Sequence, residues 1–360
     1  MGSHSVEDVW NSLEYQKIRQ QMLNGEWPSE CDTCEYREKN NLVSPRQNYV
    51  KKWNLTQSVC SVEIDNNQIR SADMRFGNIC NLKCRMCTPA FSSQIAEEWG
   101  KNGWISDSEK YNSKINHWLD SPKTFENLEK IIENLEELKI EGSEPTITPA
   151  VFRLLNMIID SGKSRQITLN ITTNLTNINQ EFKDKLKHFS KIEMQVSIDG
   201  LEEVNNYIRF PSKWNTIVKN MNTYLKMPNV NVLINHTVQL YNIMSIDKFI
   251  NWYCDNYKST KNIRLNIAPI HSPNYHSCSF LPKELKLQIL EKIKNIDSII
   301  LRRLNVGQQL SLLKITESPK IQNEKWNQFV TYTKNLDKIR NQDILKIVPE
   351  YEKFFVEKQQ

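Results

Sequence analysis

The sequence predicts an α/β fold: a partial (β/α)6 barrel of TIM type, with an N-terminal cysteine-containing segment and a C-terminal helical extension. Three observations carry this expectation. Six short runs, at 68–76, 137–140, 166–171, 192–198, 230–238 and 263–270, are continuously apolar or alternate with period two. Helical stretches lie between them, which argues for parallel βαβ units. The strand-bearing region, residues 68–275, is also shorter than the about 250 residues of a closed eight-unit barrel. The domains expected are therefore 1–67, 68–275 and 276–360.

Taken in order, residues 5–60 are polar, with a helix expected from Val6 to Leu23 that stops at Asn24-Gly25. The pair Cys31-x2-Cys34 follows. The first strand, Gln68 to Phe76, leads into a cysteine-rich loop. Helices are expected from Phe125 to Leu135, Ala150 to Ser161, Glu181 to Phe189, Trp214 to Leu225 and Ile246 to Tyr257, one between each later pair of strands. The tail reads as charged amphipathic helices at Leu281 to Ile300, Trp326 to Arg340 and Pro349 to Phe355.

Composition narrows the class. Apolar content of 39% and charged content of 25% are those of a soluble globular chain. The net charge of +5 is spread through both signs, and no Lys/Arg stripe interleaved with aromatics marks a nucleic-acid face. A nucleic-acid partner is therefore not expected. No apolar run approaches 18 residues, so no membrane span is expected either. Met1-Gly2-Ser3-His4 reads as an expression remnant rather than a signal peptide. Eight cysteines, three of them crowded, suit metal ligands in a reducing, cytoplasmic setting better than a disulfide framework.

The crowded three are Cys80-x3-Cys84-x2-Cys87. Thiolates at this spacing can hold three irons of a cubane [4Fe–4S] cluster and leave the fourth iron open to a small molecule. Electron-transfer clusters use four Cys ligands and have no such opening. A zinc site, or three thiols sharing a loop by chance, are the competing readings. Structural zinc takes four ligands in paired units, and this loop has neither the pairing nor a nearby His. In barrels of parallel strands, functional residues collect at the C-terminal strand ends. Those ends are the cysteine loop, Glu141-Gly142-Ser143-Glu144-Pro145, Thr172-Thr173-Asn174 and Ser197-Ile198-Asp199-Gly200.

In this order the motifs resemble the radical S-adenosylmethionine (radical SAM) superfamily over about residues 68–275. The resemblance implies that Cys80, Cys84 and Cys87 ligate three irons and that the amine and carboxylate of SAM chelate the fourth. Reduction of the cluster then cleaves the sulfonium bond and releases a 5′-deoxyadenosyl radical that abstracts a hydrogen atom. Met86 stands where the family usually has an aromatic near the adenine. Gly142-Ser143-Glu144-Pro145 resembles Gly-Gly-Glu-Pro, which lines the SAM amine, with Ser143 in place of the second Gly. The competing reading of that stretch is a helix N-cap before Pro149.

Ser197 and Asp199 match the pair that meets the SAM ribose and carboxylate. Thr173 and Asn174 would lie near the ribose, and Ala268 to Ile270 near the adenine. Arg209 falls where related peptide-modifying enzymes place an Arg on the SAM carboxylate, and a guanidinium fork matches a carboxylate's two oxygens. A surface Arg on a loop is the alternative.

The segment from Val9 to Cys34 is similar to part of the SPASM or twitch extensions, which bind auxiliary iron–sulfur clusters in many peptide-modifying members. Those extensions usually follow the barrel, whereas this segment precedes it. An auxiliary cluster on Cys31, Cys34 and Cys60 needs one more ligand, from Cys254, Cys278 or a substrate. Zinc or unmetallated thiols are the other reading of that pair. The function implied is a radical SAM enzyme acting on a peptide or protein side chain, with an electron donor such as flavodoxin or ferredoxin. Modification of a nucleobase, nucleoside or small precursor is the second enzymatic reading, and a zinc-binding interaction module the third.

Overall fold

A computed structural model describes residues 4–40, 43–55, 69–106, 122–296 and 318–355. The chain forms two compact units, Met1–Arg70 with His117–Leu135, and Ser71–Asn116 with Glu136–Gln360. The first unit contains helices α1 (Val6–Trp10), α2 (Leu13–Leu23), α3 (Asp32–Lys39) and α4 (Pro45–Lys52). One helix was expected from Val6 to Leu23; the chain instead breaks at Asn11-Ser12. Ser12 takes an extended backbone and its hydroxyl accepts the Tyr15 N–H, opening a new helix. A serine side chain competes for backbone hydrogen bonds, so it favours a cap over a helix interior. None of the residues of α1 to α4 is buried.

The second unit is built on β1 (Ser71–Arg75), β2 (Glu137–Glu141), β3 (Thr168–Thr173), β4 (Lys191–Ser197), β5 (Val230–Val238) and β6 (Ile263–Pro269). Helix α5 (Ser93–Lys101) follows β1, and α6 (Pro122–Ile132) belongs to the first unit. Later come α7 (Pro149–Asp160), α8 (Gln180–Leu186), α9 (Glu202–Ile208), α10 (Trp214–Tyr224), α11 (Ile246–Tyr257), α12 (Lys283–Lys294), α13 (Pro319–Arg340) and α14 (Ile344–Ile347). All neighbouring strands are parallel, and their order is β1-β2-β3-β4-β5-β6. A doubly wound sheet reverses its strand order at a switch point. This one never reverses, so it is an arc of a barrel, as the sequence predicts. Residue Gln68, the expected start of the first strand, lies outside the described residues. The expected last helix is a 3₁₀ segment, Pro349–Phe354, anchored by Tyr351 OH donating to the Leu240 carbonyl at 2.5 Å.

The two faces of the sheet differ sharply in chemistry. Leu138, Ile140, Leu169, Ile171, Ile192, Met194, Val196, Val232 and Ile234 are all fully buried. They form one face, shared with buried side chains of the helices that follow each strand, such as Leu155 of α7, Met221 of α10 and Ile250 of α11. The opposite face is a ladder of polar pairs. Lys139 binds Asp73 and Glu141, and Arg75 also reaches Glu141. Asn231 and Arg264 both donate to Glu193, Asn235 donates to Gln195, and Asn266 donates to Asn235. Closed barrels fill their lumen with Val, Ile and Leu. This lumen face is hydrophilic and partly exposed.

The C-terminal helices close over the ends of β5 and β6. Trp326, Phe329, Thr333 and Leu336 of α13 are buried, and Thr333 Oγ1 lies 2.8 Å from Tyr241 OH. Among the described residues no helix is long and apolar enough to cross a membrane. Truncating Ile234, central in β5 and fully buried, should destabilise the fold: Ile234→Ala is expected to cost about 2–5 kcal/mol. The urea unfolding midpoint checks this.

Candidate functional site

The cysteine loop has no regular structure, so its backbone groups must find partners elsewhere. Lys83 N–H donates to the Phe210 carbonyl at 2.6 Å, and Arg85 N–H to the Ile208 carbonyl at 2.8 Å. Glu144 N–H donates to the Ile79 carbonyl at 2.8 Å, tying the loop to the end of β2. Ser92 caps α5 and its hydroxyl donates to the Leu82 carbonyl at 2.7 Å. Cys87 N–H closes a turn onto the Cys84 carbonyl at 3.0 Å, which brings the two thiols into hydrogen-bond contact.

Each sulfur of Cys80 and Cys84 also has an N–H donor. Leu82 N–H and Asn174 Nδ2 point at Cys80 Sγ at 3.5 and 3.9 Å, and Arg209 Nη1 points at Cys84 Sγ at 3.8 Å. The hydrogen bond from Cys87 lowers the pKa of Cys84 and raises its own, burial adding to the second effect. Burial, then the charge of Cys84, pushes Cys80 up to about 12. Among the described residues no three His, Cys, Asp or Glu side chains come together so as to share one metal ion. Ligands of a cubane bind separate irons and stand further apart.

The other strand ends converge on this loop. Gly142 has φ +89°, and a Cβ there would lie 3.2 Å from Arg75 Cβ, so this position demands glycine. Ser143, next to it, is outside the left-handed region, which is why a side chain fits where the motif has its second Gly. Glu144 is buried and brackets two strand ends. Its Oε1 accepts from Thr146 Oγ1 and Thr173 Oγ1, both at 2.7 Å, and its Oε2 from Asn174 N–H at 2.8 Å. Burial raises its pKa, and those hydrogen bonds oppose the rise. Glu144 also caps the 3₁₀ turn Pro145–Ile147, while Thr148 is the N-cap position of α7.

At the end of β4, Asp199 Oδ2 faces Arg209 Nε at 2.7 Å as an ion pair, although the two atoms are not aligned as a hydrogen bond. Asp199 Oδ1 accepts the Thr237 N–H at 2.8 Å, its N–H donates to Asn205 Oδ1, and its carbonyl accepts from Asn242. Burial works against the Arg209 charge, but Asp199 and the Cys84 and Cys87 thiols keep its pKa raised. Beside Asp199, His236 is stacked on Phe249 with Nδ1 at 3.1 Å from the Ile198 carbonyl.

The structure therefore links Cys80, Glu144, Thr173 and Asn174 in one set of contacts and Cys84, Cys87, Asp199 and Arg209 in another. Met86 is half-buried within the loop, Pro145 is buried, and Ser197 is the half-buried last residue of β4. Ile270 is buried, its N–H bonded to the Val238 carbonyl. Sequence reasoning missed Asn205 and Asn242, which hold Asp199. No motif spacing marks them: Asn205 reaches back six residues from α9, and Asn242 follows β5.

In the first unit, Cys31 caps α3 and Cys34 lies in its first turn, both partly exposed. Burial, then Cys34, raises the Cys31 pKa. Cys60 lies outside the described residues. Cys254 is buried in α11, and Cys278 is buried at the start of a 3₁₀ turn.

The family model for the radical SAM superfamily matches residues 74–253, half of the chain, from the end of β1 into α11. The chain belongs to the radical SAM superfamily. A radical SAM protein implies a [4Fe–4S] cluster and SAM as cofactors, and an enzyme. No curated protein matches the sequence. Among solved structures, this radical SAM chain is similar to SuiB of Streptococcus suis bound to S-adenosylmethionine, at 15% identity and a TM-score of 0.39. That match covers 71% of this chain and 48% of SuiB. SuiB bound to its precursor peptide SuiA matches at 17% identity and 0.38, covering 73% and 48%. TYW1 with a lysine-pyruvate adduct matches at 15% and 0.31, covering 61% and 72%. The chain spans about half the length of the SuiB structures.

Burial lowers the His236 pKa from 6.5 to about 4. As pH falls below 6.5 the unfolded chain takes up this proton before the folded one. The stability contribution is therefore complete above pH 6.5 and lost progressively toward pH 4, up to about 3 kcal/mol. Urea unfolding across that range should show the fall, and His236→Asn should flatten it.

Proposed function

We propose that this radical SAM enzyme holds its cluster on Cys80, Cys84 and Cys87 and acts on a peptide or protein side chain. The observation that carries the reading is Arg209, whose guanidinium joins a loop thiol, Cys84, to the strand-four carboxylate, Asp199. The residues present fit both cofactors. Three thiols lie in one loop that is braced by backbone bonds. Ser143 Oγ is buried with no hydrogen-bond partner, a polar atom suited to a ligand's polar end. When bound, the cluster supplies a low-potential electron and SAM the carbon radical on which the family's hydrogen abstraction depends.

The chain's own residues bind, orient and exclude. Cys80, Cys84 and Cys87 would ligate three irons, and the N–H donors of Leu82, Asn174 and Arg209 would steady the negative charge on the sulfurs. Gly142, Ser143, the remaining lone pairs of Glu144, and Pro145 would line the SAM amine. Arg209 would meet its carboxylate, with Asp199 and Ser197 beside it. Thr173 and Asn174 would stand near the ribose, and Met86 and Ile270 near the adenine, where a thioether packs well on a ring face. The polar face of the sheet supports a hydrophilic substrate. Its Asn and Gln amides offer both donors and acceptors, as the backbone of an extended peptide requires. An electron donor such as flavodoxin or ferredoxin, in a reducing cytoplasm, would complete the system.

Anaerobically prepared protein should be brown and contain iron with acid-labile sulfide; zinc without iron would instead favour a binding module. Iron in excess of one cubane would support an auxiliary cluster on Cys31, Cys34 and Cys60. Cys84→Ala should keep its circular dichroism spectrum yet form no 5′-deoxyadenosine with a chemical reductant. Persistent product from that variant would refute the assignment. Arg209→Ala should weaken SAM binding by about 1.5–3 kcal/mol, the scale of a hydrogen bond to a charged group. Calorimetry that finds unchanged affinity removes Arg209 from the site.

A further inference from the structure

Arg85 lies between two of the loop cysteines and is fully buried, the largest such side chain among the described residues. A buried guanidinium needs a partner for its charge and for its N–H groups. Its Nη2 pairs with Asp337 of α13 and donates to Gln342 Oε1 at 2.8 Å. Its Nε donates to the Tyr207 carbonyl at 3.1 Å, and its carbon lies 3.6 Å from the Tyr207 ring centre. Asp337 is itself fixed, accepting Tyr207 OH at 2.8 Å on one oxygen and the Ile344 N–H at 2.8 Å on the other. One turn earlier on α13, Tyr332 OH donates to the Arg85 carbonyl at 3.0 Å.

A second buried pair joins the same two elements' surroundings. Arg340, the last residue of α13, grips both carboxylate oxygens of Glu98 of α5 through Nε and Nη2, at 3.1 and 2.6 Å. Lys83, also in the cysteine loop, lies 3.5 Å from the same carboxylate. Helix α13 thus reaches the loop at Arg85 directly and at Lys83 through Glu98. It lies beyond residues 74–253, the part of the chain the family model matches.

We infer that Arg85 is a positioning residue through which the C-terminal helix α13 clamps the cysteine loop, and that the Arg85–Asp337 pair sets the charge balance beside the cluster. This rests on the reading of the loop as a cluster site. Arg85 does not ligate iron. It fixes the segment between Cys84 and Cys87, so the sulfurs keep their direction when the cluster changes charge. Asp337 balances a cation that would otherwise favour the reduced cluster.

The test uses the full chain, reconstituted anaerobically with ferrous iron and sulfide, as parent, Asp337→Asn, Asp337→Glu and Tyr332→Phe. Iron release to a ferrous chelator and the cluster's reduction potential, followed by electron paramagnetic resonance, are measured. Asp337→Asn should release iron about tenfold faster, the scale of one charge-assisted hydrogen bond. Its potential should become less negative, because Arg85 is no longer balanced. Asp337→Glu should restore both. Tyr332→Phe loses only the bond to the Arg85 carbonyl and should release iron about two- to tenfold faster with its potential unmoved. An Asp337→Asn protein with the parent's potential, or with the parent's release rate, overturns the inference. Should that variant fail to fold, Tyr332→Phe releasing iron at the parent's rate overturns it. A parent chain that binds no iron sinks the cluster reading itself.

Discussion

The cysteine loop is held by hydrogen bonds from elsewhere in the unit, and the site depends on that constraint. A loop without helix or strand must place its N–H and C=O groups somewhere, and an unpaired buried group costs more than a made bond gains. Here Lys83 and Arg85 donate to carbonyls on either side of Arg209, and Ile79 accepts from Glu144. The same few bonds that satisfy the loop therefore also set the distance between the thiols and the two motifs that face them.

Charge is arranged around the loop in pairs. Arg209 with Asp199, Arg85 with Asp337, and Arg340 with Glu98 are each almost wholly withdrawn from water. Taking ions out of water is costly, and such pairs are weak evidence of stability. They do specify geometry, since a guanidinium accepts its partner in few orientations. Surroundings whose charges do not rearrange would suit the redox role proposed for the loop.

The sheet follows the same division of labour. Its helix-facing side is apolar and carries the fold, so the other side is free to carry chemistry. Lys139 with Asp73, Arg264 with Glu193 and Asn235 with Gln195 pair across strands, which keeps an open arc stable without an apolar filling. The arc ends at β6, and just after β5 the bonds of Tyr241 with Thr333 and of Leu240 with Tyr351 join the sheet to the C-terminal segments.

Local pattern decided the parts of the molecule whose physics is local. Alternation in Val230, Val232, Ile234, His236 and Val238 reports a face that must be buried, so β5 was legible residue for residue. The spacing of Cys80, Cys84 and Cys87 sets how many sulfurs one loop can present, and that too is a property of sequence. Tertiary structure alone decided what joins distant segments. Asp337 lies 252 residues from Arg85, and nothing in either neighbourhood names the other. The bracing of Asp199 by Asn242 and the capture of the Asn174 N–H by Glu144 belong to the same class. Each depends on which of several similar polar groups ends up buried beside a partner, and only the folded chain settles that competition.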